Sequence, residues 1–134
     1  MPQYRISEIA RLLGVSDDTV RRWIDGGSLA ATHDESGRLV VDGADAARRS
    51  VELADAAEDP SSVARSARNR FVGLVTRVQR DGIMAQVDIQ AGPHRVVSLM
   101  SAEAVDDLAL EVGSLAVAVV KATTVIVETP GARA

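Results

Sequence analysis

Cysteine is absent from the 134 residues, which excludes disulfides, thiolate metal sites and a cysteine nucleophile together. Histidine occurs only as His33 and His94, too few for a histidine-built cation site, so no metal cation is expected. The aromatic set is Tyr4, Trp23 and Phe71. A core must therefore come from Val, Ile, Leu and Ala, and stacking nucleobases on aromatic platforms is a poor mechanism for this chain. Lysine occurs once, as Lys121, inside an apolar run; every other basic residue is arginine. No stretch approaches the roughly 18 apolar residues that span a bilayer, and Met1–Arg5 has no apolar leader. The expectation is a soluble cytoplasmic protein with no membrane partner. No phosphate loop, nucleophile–base pair or paired catalytic carboxylates stand out, so an enzyme is not expected.

What is present is an ordinary globular balance, 46% hydrophobic and 25% charged residues. The net charge of −4 is uneven. Residues 1–60 hold seven arginines against twelve acidic residues, and residues 61–134 hold eight basic against seven acidic. A strongly basic nucleic-acid binder does not look like this. The texture changes around Glu58-Asp59-Pro60-Ser61-Ser62, from helical spacing to alternation. We read a domain over 1–57, a linker over 58–65 and a second domain over 66–130.

In the first domain Ser7 is placed to cap a helix over Glu8–Leu13 that Gly14 terminates. Ser16 then caps Asp17–Asp25, whose first-turn carboxylates suit the positive end of the helix dipole. Ala31-Thr32-His33 and Arg38-Leu39-Val40-Val41 read as the arms of a hairpin. Asp42 caps a third helix over Gly43–Glu58, with Ala44, Ala47, Val51 and Ala54 as its apolar stripe. On the second helix Thr19 and Arg22 share a face and Arg21 adjoins them. Such a face can read base edges or grip phosphate, with His33 and Arg38 of the hairpin on the neighbouring backbone. Trp23 reads as core.

The run Tyr4-Arg5-Ile6-Ser7-Glu8-Ile9-Ala10-Arg11-Leu12-Leu13-Gly14-Val15-Ser16-Asp17-Asp18-Thr19-Val20-Arg21-Arg22-Trp23 resembles the winged helix-turn-helix of the MerR and excisionase-like families. The hairpin falls where that family carries its wing. The resemblance implies a double-stranded DNA partner, contacted through Ser16, Thr19, Arg21, Arg22, His33 and Arg38.

The second domain alternates. Ile83, Ala85, Val87 and Ile89 point one way and Met84, Gln86, Asp88 and Gln90 the other. Strands are predicted over Phe71–Arg80, Ile83–Gln90, His94–Met100, Leu115–Lys121 and Thr124–Glu128, with a short helix over Ala102–Leu108 capped by Ser101. The fold class is thus α+β: a small winged helix-turn-helix followed by a five-stranded, OB-like Greek-key β-barrel. So small a barrel buries little alone, and oligomerisation is expected.

Ser66-Ala67-Arg68-Asn69-Arg70, Leu99-Met100-Ser101-Ala102-Glu103 and Val119-Val120-Lys121-Ala122-Thr123-Thr124-Val125 resemble the Mop domain of molbindins, the TOBE-type domain, over about Val63 to Glu128. The resemblance implies a molybdate or tungstate oxyanion as ligand, held by Ser66, Arg68, Ser101, Lys121 and Ala122 and shared between subunits of a homo-oligomer, dimer to hexamer. The charges suit it: Arg68 and Lys121 supply two positive charges to a dianion, and the serines donate hydroxyl bonds. Ala104 stands where the family often has serine. Taken alone, an arginine and a lysine on a small β domain are ordinary surface charges. The two resemblances together imply a molybdate-responsive DNA-binding transcription regulator. A molybdate storage protein with a non-regulatory head is the alternative.

Overall fold

A three-residue strand, β1 (Gln3–Arg5), begins the fold and was not part of the predicted pattern. The computed structural model describes residues 2–54, 60 and 68–130. The chain divides into two units, Met1–Asp55 and Ala56–Ala134. The expected linker and Ser66 fall almost wholly outside the described residues.

In the first unit α1 (Ile6–Leu13) starts two residues earlier than the Ser7 cap predicts. Arg5 is the cap, because the Glu8 carboxylate reaches back and accepts the Arg5 N–H at 3.1 Å. Gly14 ends the helix at φ 71°, and its N–H donates to the Ala10 carbonyl. The second helix, α2 (Asp17–Asp25), carries the expected Ser16 cap. Strands β2 (Ala31–His33) and β3 (Leu39–Asp42) form the hairpin, and β1 pairs with the far side of β3. The antiparallel order β1-β3-β2 therefore ties the N-terminus to the wing. Ile6, Ile9, Val20, Leu29, Val41 and Ala46 make the core, with Trp23 packed at its margin.

The third helix, α3 (Gly43–Leu53), corrects the sequence reading. Ala44, Ala47, Val51 and Ala54 are exposed, and Ala46 is the buried position. Two contacts set this phase. The Gly43 N–H donates to the Pro2 carbonyl at 2.8 Å, and the Arg49 guanidinium lies 4.8 Å from the Trp23 ring centroid. Small alanines exert little pull on the phase by comparison.

The second unit is a curled antiparallel sheet of OB type. It contains β4 (Asn69–Asp81), β5 (Met84–Ala91), β6 (His94–Ser101) and β7 (Leu115–Val120), ordered β6-β5-β4-β7, with α4 (Ala102–Asp107) between β6 and β7. The strand β4 is long enough to pair with β7 by its first half and with β5 by its second. It bends where the register shifts between Val75 and Arg77. Gly73 permits the tight crossing: a Cβ there would overlap the Gln90 carbonyl. Val75, Ala85, Val87, Ile89 and Val105 form the core beneath this bend.

Two expectations fail here. The sheet has four strands among the described residues, not five. The predicted strand Thr124–Glu128 is replaced by a 3-10 turn, Ala122–Thr124, and an unpaired extension after it. The turn follows because the Lys121 carbonyl accepts both the Thr124 N–H at 3.0 Å and the Thr124 hydroxyl at 2.8 Å. Asp88, on the more polar side of the β5 alternation, is 5% exposed. Arg95 Nη2 donates to its carboxylate at 2.8 Å and Gln86 Nε2 at 3.0 Å, which satisfies the buried charge.

The Gln86 amide first, and then the Arg95 guanidinium, hold the Asp88 carboxyl below the usual aspartate range. A carboxyl whose folded value lies below its unfolded one stabilises fully above the unfolded value, near 3.9, and loses that contribution as pH falls through the folded value. Urea unfolding of Asp88→Asn between pH 6 and pH 2 is therefore expected to show a shallower acid limb than the parent. Equal slopes would remove Asp88 as a source of acid sensitivity.

Candidate functional site

On α2 the polar residues form one chain of hydrogen bonds. Ser16 Oγ accepts the Thr19 N–H at 3.1 Å and lies 2.9 Å from Thr19 Oγ1. Arg22 Nη2 donates to that same Thr19 Oγ1 at 3.1 Å. The i, i+3, i+6 spacing makes this possible, since such residues lie on one side of a helix. The cap therefore helps to orient Arg22, whose exposed guanidinium keeps further donors free for an acceptor outside the chain. Arg21 is exposed beside it. Asp17 and Asp18 are exposed in the first turn and oppose phosphate there.

The wing is built around Asp34. Its Oδ1 accepts the N–H groups of Ser36 and Arg38, both at 2.9 Å, an arrangement that aspartate favours in tight turns. Arg38 Nε lies 3.9 Å from Asp34 Oδ2, so the wing arginine is partly neutralised by its own turn. His33 is exposed at the end of β2 in a shallow depression shared with Gln3 and Glu35. The arginines of α3 are engaged elsewhere: Glu52 accepts from Arg48 at 2.8 Å and from Arg49 at 3.1 Å. Of the arginines on α2, the wing and α3, Arg21 and Arg22 make the better candidate contact.

In the second unit the candidate oxyanion residues occupy two places. The β4–β7 ladder runs from Leu74 opposite Leu115 to Asn69 opposite Val120. Continuing that register by one step sets Arg68 across from Lys121. Both are exposed, and among the described residues neither has an ion-pair partner in the structure. Like charges directly opposite on neighbouring strands are unfavourable unless something negative lies between them. Ala122 follows immediately as the first residue of the 3-10 turn.

Ser101 is elsewhere. It pairs with Met84 at the far end of the sheet, where β4 has reached Asp81. Its Oγ caps α4 by accepting the Ala104 N–H at 3.0 Å. The Ala102 N–H is also committed, to the Ile83 carbonyl at 2.7 Å. Two of the main-chain amides at this helix start are therefore occupied. One chain brings Arg68, Lys121 and Ala122 to one end of β4 and Ser101 to the other. Ser66 lies outside the described residues. Among the described residues no three His, Asp or Glu side chains gather to hold a metal ion. No helix among them is long and apolar enough to cross a membrane.

Residues 65–127 match the family model of the TOBE domain, and residues 4–45 match that of a helix-turn-helix domain. Over 63 residues the chain is 43% identical to a probable molybdenum-pterin-binding protein of Haemophilus influenzae, covering 91% of that protein and 46% of this chain. The chain belongs to the TOBE-domain family. Its TOBE domain is also 35% identical over 63 residues to molybdenum-pterin-binding protein 3 of Clostridium pasteurianum, covering 93% of that protein and 46% of this chain. The molybdenum transport protein ModE of Herbaspirillum seropedicae is 33% identical over 69 residues, which is 51% of this chain and 26% of ModE. The chain thus spans about a quarter of that relative's length.

Two residues of the TOBE domain acquire roles that their sequence context did not assign. Asn69 Nδ2 donates to the Val120 carbonyl at 3.2 Å, clamping the last ladder pair from which Lys121 departs. Thr124 fixes the Lys121 carbonyl from the other side. Both act on where the lysine stands rather than on a ligand. The only sequence signal was their membership of the two motif runs, because a side-chain bond across 51 positions has no local signature.

Proposed function

We propose that the chain is a molybdate- or tungstate-responsive DNA-binding regulator, which binds its oxyanion at the TOBE domain and duplex DNA at the helix-turn-helix domain. The observation that carries the anion half is the end of the β4–β7 ladder, where the pair Asn69–Val120 leaves Arg68 and Lys121 as the next residues on the two strands. A tetrahedral dianion between them relieves their repulsion and accepts a guanidinium fork and an ammonium. The three relatives, each named for molybdenum, support the ligand class.

The separation of Ser101 from that pair within one chain supports a shared site. The dianion then lies between TOBE domains of neighbouring copies, with Arg68, Lys121 and Ala122 from one and Ser101 from another, and Ser66 beside Arg68 as a further donor. Ser101 uses a lone pair for its cap and keeps its hydroxyl proton to donate. DNA binding falls to Thr19, Arg21 and Arg22, with Ser16 as the orienting cap and His33 and Arg38 on the wing. For regulation, the anion must prefer one arrangement of the heads over another.

The decisive test is calorimetric titration with molybdate, tungstate and sulfate, followed by selection of bound duplexes from a random DNA pool. Heat with molybdate or tungstate and silence with sulfate is expected, with enrichment of one duplex sequence. No heat with any of the three overturns the anion half. No enrichment overturns the regulator.

A molybdate-storage reading has one observation in its favour: the two molybdenum-pterin-binding relatives consist almost entirely of the matched domain. Anion heat without enriched DNA would select it.

Ser101 offers a separable check. Ser101→Ala loses the cap, at about 1 kcal/mol, whereas Ser101→Asp keeps a capping acceptor and sets a carboxylate against the anion. The aspartate variant is expected to melt nearer the parent and to bind molybdate more weakly than the alanine variant. The reverse order in calorimetry would take Ser101 out of the site.

A further inference from the structure

The one tryptophan of the sequence stands on α2, beside the residues proposed to meet DNA. Trp23 follows Arg22 directly and lies one turn beyond Thr19, so its ring borders the polar face that Ser16, Thr19 and Arg22 build. Its main chain is tied down. The Trp23 carbonyl accepts the Ser28 N–H at 2.9 Å, the Leu29 N–H at 3.2 Å and the Ser28 hydroxyl at 3.2 Å. Val20 is the buried residue of α2, while Trp23 and Ile24 pack at the margin of the core and remain half-buried.

Arg49 of α3 covers the indole. Its guanidinium carbon lies 4.8 Å from the ring centroid, and its side chain is 21% exposed, against 55% for the neighbouring Arg48. Glu52 Oε2 accepts from Arg49 Nη1 at 3.1 Å and holds the fork from one side. Arg49 Nε is buried, and among the described residues nothing accepts its proton. A buried donor without a partner is destabilising. Methionine at this position would cover the ring without burying such a donor. What arginine adds is a planar cation, drawn to the face of the indole. That attraction acts on the orientation of the ring, which apolar burial, being non-directional, does not.

We propose that Arg49 is a positioning residue for DNA recognition: acting through Trp23, it fixes the rotation of α2 and so the direction in which Thr19 and Arg22 face the duplex. It meets neither base nor phosphate itself. The proposal rests on the reading of α2 as the helix that contacts DNA. Successive residues of a helix are about 100° apart around its axis, so a rotation that moves the Trp23 ring swings the Arg22 guanidinium by the same angle. With nine residues, α2 is short, and Val20 alone among them is buried. The second half of the helix takes its direction from the partly buried Trp23, and the ring takes its own from Arg49.

The single tryptophan makes its emission a reporter of this contact. Full-length Arg49→Ala, Arg49→Lys and Arg48→Ala are compared with the parent for acrylamide quenching of Trp23 and for affinity to the duplex that the parent enriches from a random pool. Arg48 also donates to Glu52 and serves as the control for lost charge. Arg49→Ala is expected to raise quenching and to weaken duplex binding by about 3- to 10-fold, with circular dichroism unchanged. Arg49→Lys keeps the charge and loses the fork, so it is expected between the two on both readouts, with the salt slope of the parent. Arg48→Ala is expected to leave quenching unchanged and to bind more tightly than Arg49→Ala. Full affinity for Arg49→Lys, with a salt slope about one unit lower for Arg49→Ala, would make Arg49 a phosphate contact and overturn the positioning role. Parent-like affinity or parent-like quenching of Arg49→Ala overturns it equally. Should Arg49→Ala lose its circular dichroism, Arg49→Lys decides, and parent-like values for it are fatal to the proposal. A parent that enriches no duplex overturns the regulator reading and this proposal with it, so the parent alone tells the two failures apart.

Discussion

Lys121→Ala is expected to lower molybdate affinity by about 10- to 150-fold. A hydrogen bond to a charged group is worth about 1.5–3 kcal/mol, and every 1.4 kcal/mol is a factor of ten. Removing the ammonium leaves the dianion facing a single guanidinium, so the upper part of that range applies where the site excludes water. The substitution is otherwise mild. The side chain is exposed, and the backbone that carries it is held by Asn69 and Thr124 rather than by the ammonium. The melting temperature without ligand should therefore stay close to that of the parent. Lys121→Arg is the informative companion, because it keeps the charge and changes a compact donor into a planar fork. Intermediate affinity is expected for it. Parent-like binding by Lys121→Ala would show that the anion sits elsewhere.

Arg22→Ala is expected to weaken duplex binding by about 1–3 kcal/mol, the range for loss of one well-placed base contact. Thr19 Oγ1 accepts from Arg22, and Ser16 caps the helix beneath, so the guanidinium approaches DNA with part of its freedom already removed. The salt dependence separates the two ways it can act. If Arg22 grips phosphate, the slope of log affinity against log salt falls by about one unit and all sequences weaken together. If it reads a base, the slope changes less and discrimination at one position relaxes. Thr19→Val removes the tether but leaves the arginine, and should cost less than Arg22→Ala. The molybdate isotherm is expected to be unchanged in both variants. An unchanged DNA affinity for Arg22→Ala would move the interface away from this face of α2.

Much of this fold was legible in order and type. The caps at Ser16 and Ser101 were readable because a short hydroxyl side chain before a helix satisfies an amide three residues on, which is a local event. The buried positions Ala85, Val87 and Ile89 were readable from a period of two. Ile83 belonged to the same alternation yet is 82% exposed, since it stands in the turn before β5 rather than in the strand. The α3 stripe failed for a related reason. Spacing identifies a face, but only contacts with Pro2 and Trp23 decide which face turns inward. The strand β1 is three residues long, and its pairing partner β3 lies more than thirty positions away, so no window of sequence contains the signal.

The candidate anion-site residues divide in the same way. The sequence nominated Arg68, Ser101 and Lys121 by motif, and nothing local said which of them meet. The β4–β7 ladder ends at Asn69 opposite Val120, next to Arg68 and Lys121, whereas Ser101 on β6 pairs with Met84 of β5, which faces the other end of β4 at Asp81. Composition and spacing by themselves determined the order of most elements, the caps at Ser16 and Ser101 and the class of chemistry on offer. These depend on side-chain type and on neighbours a few residues apart. Only the tertiary structure decided the burial of Asp88, the phase of α3 and the clamps on Lys121. Most of these depend on contacts between residues distant in sequence, which no local window contains.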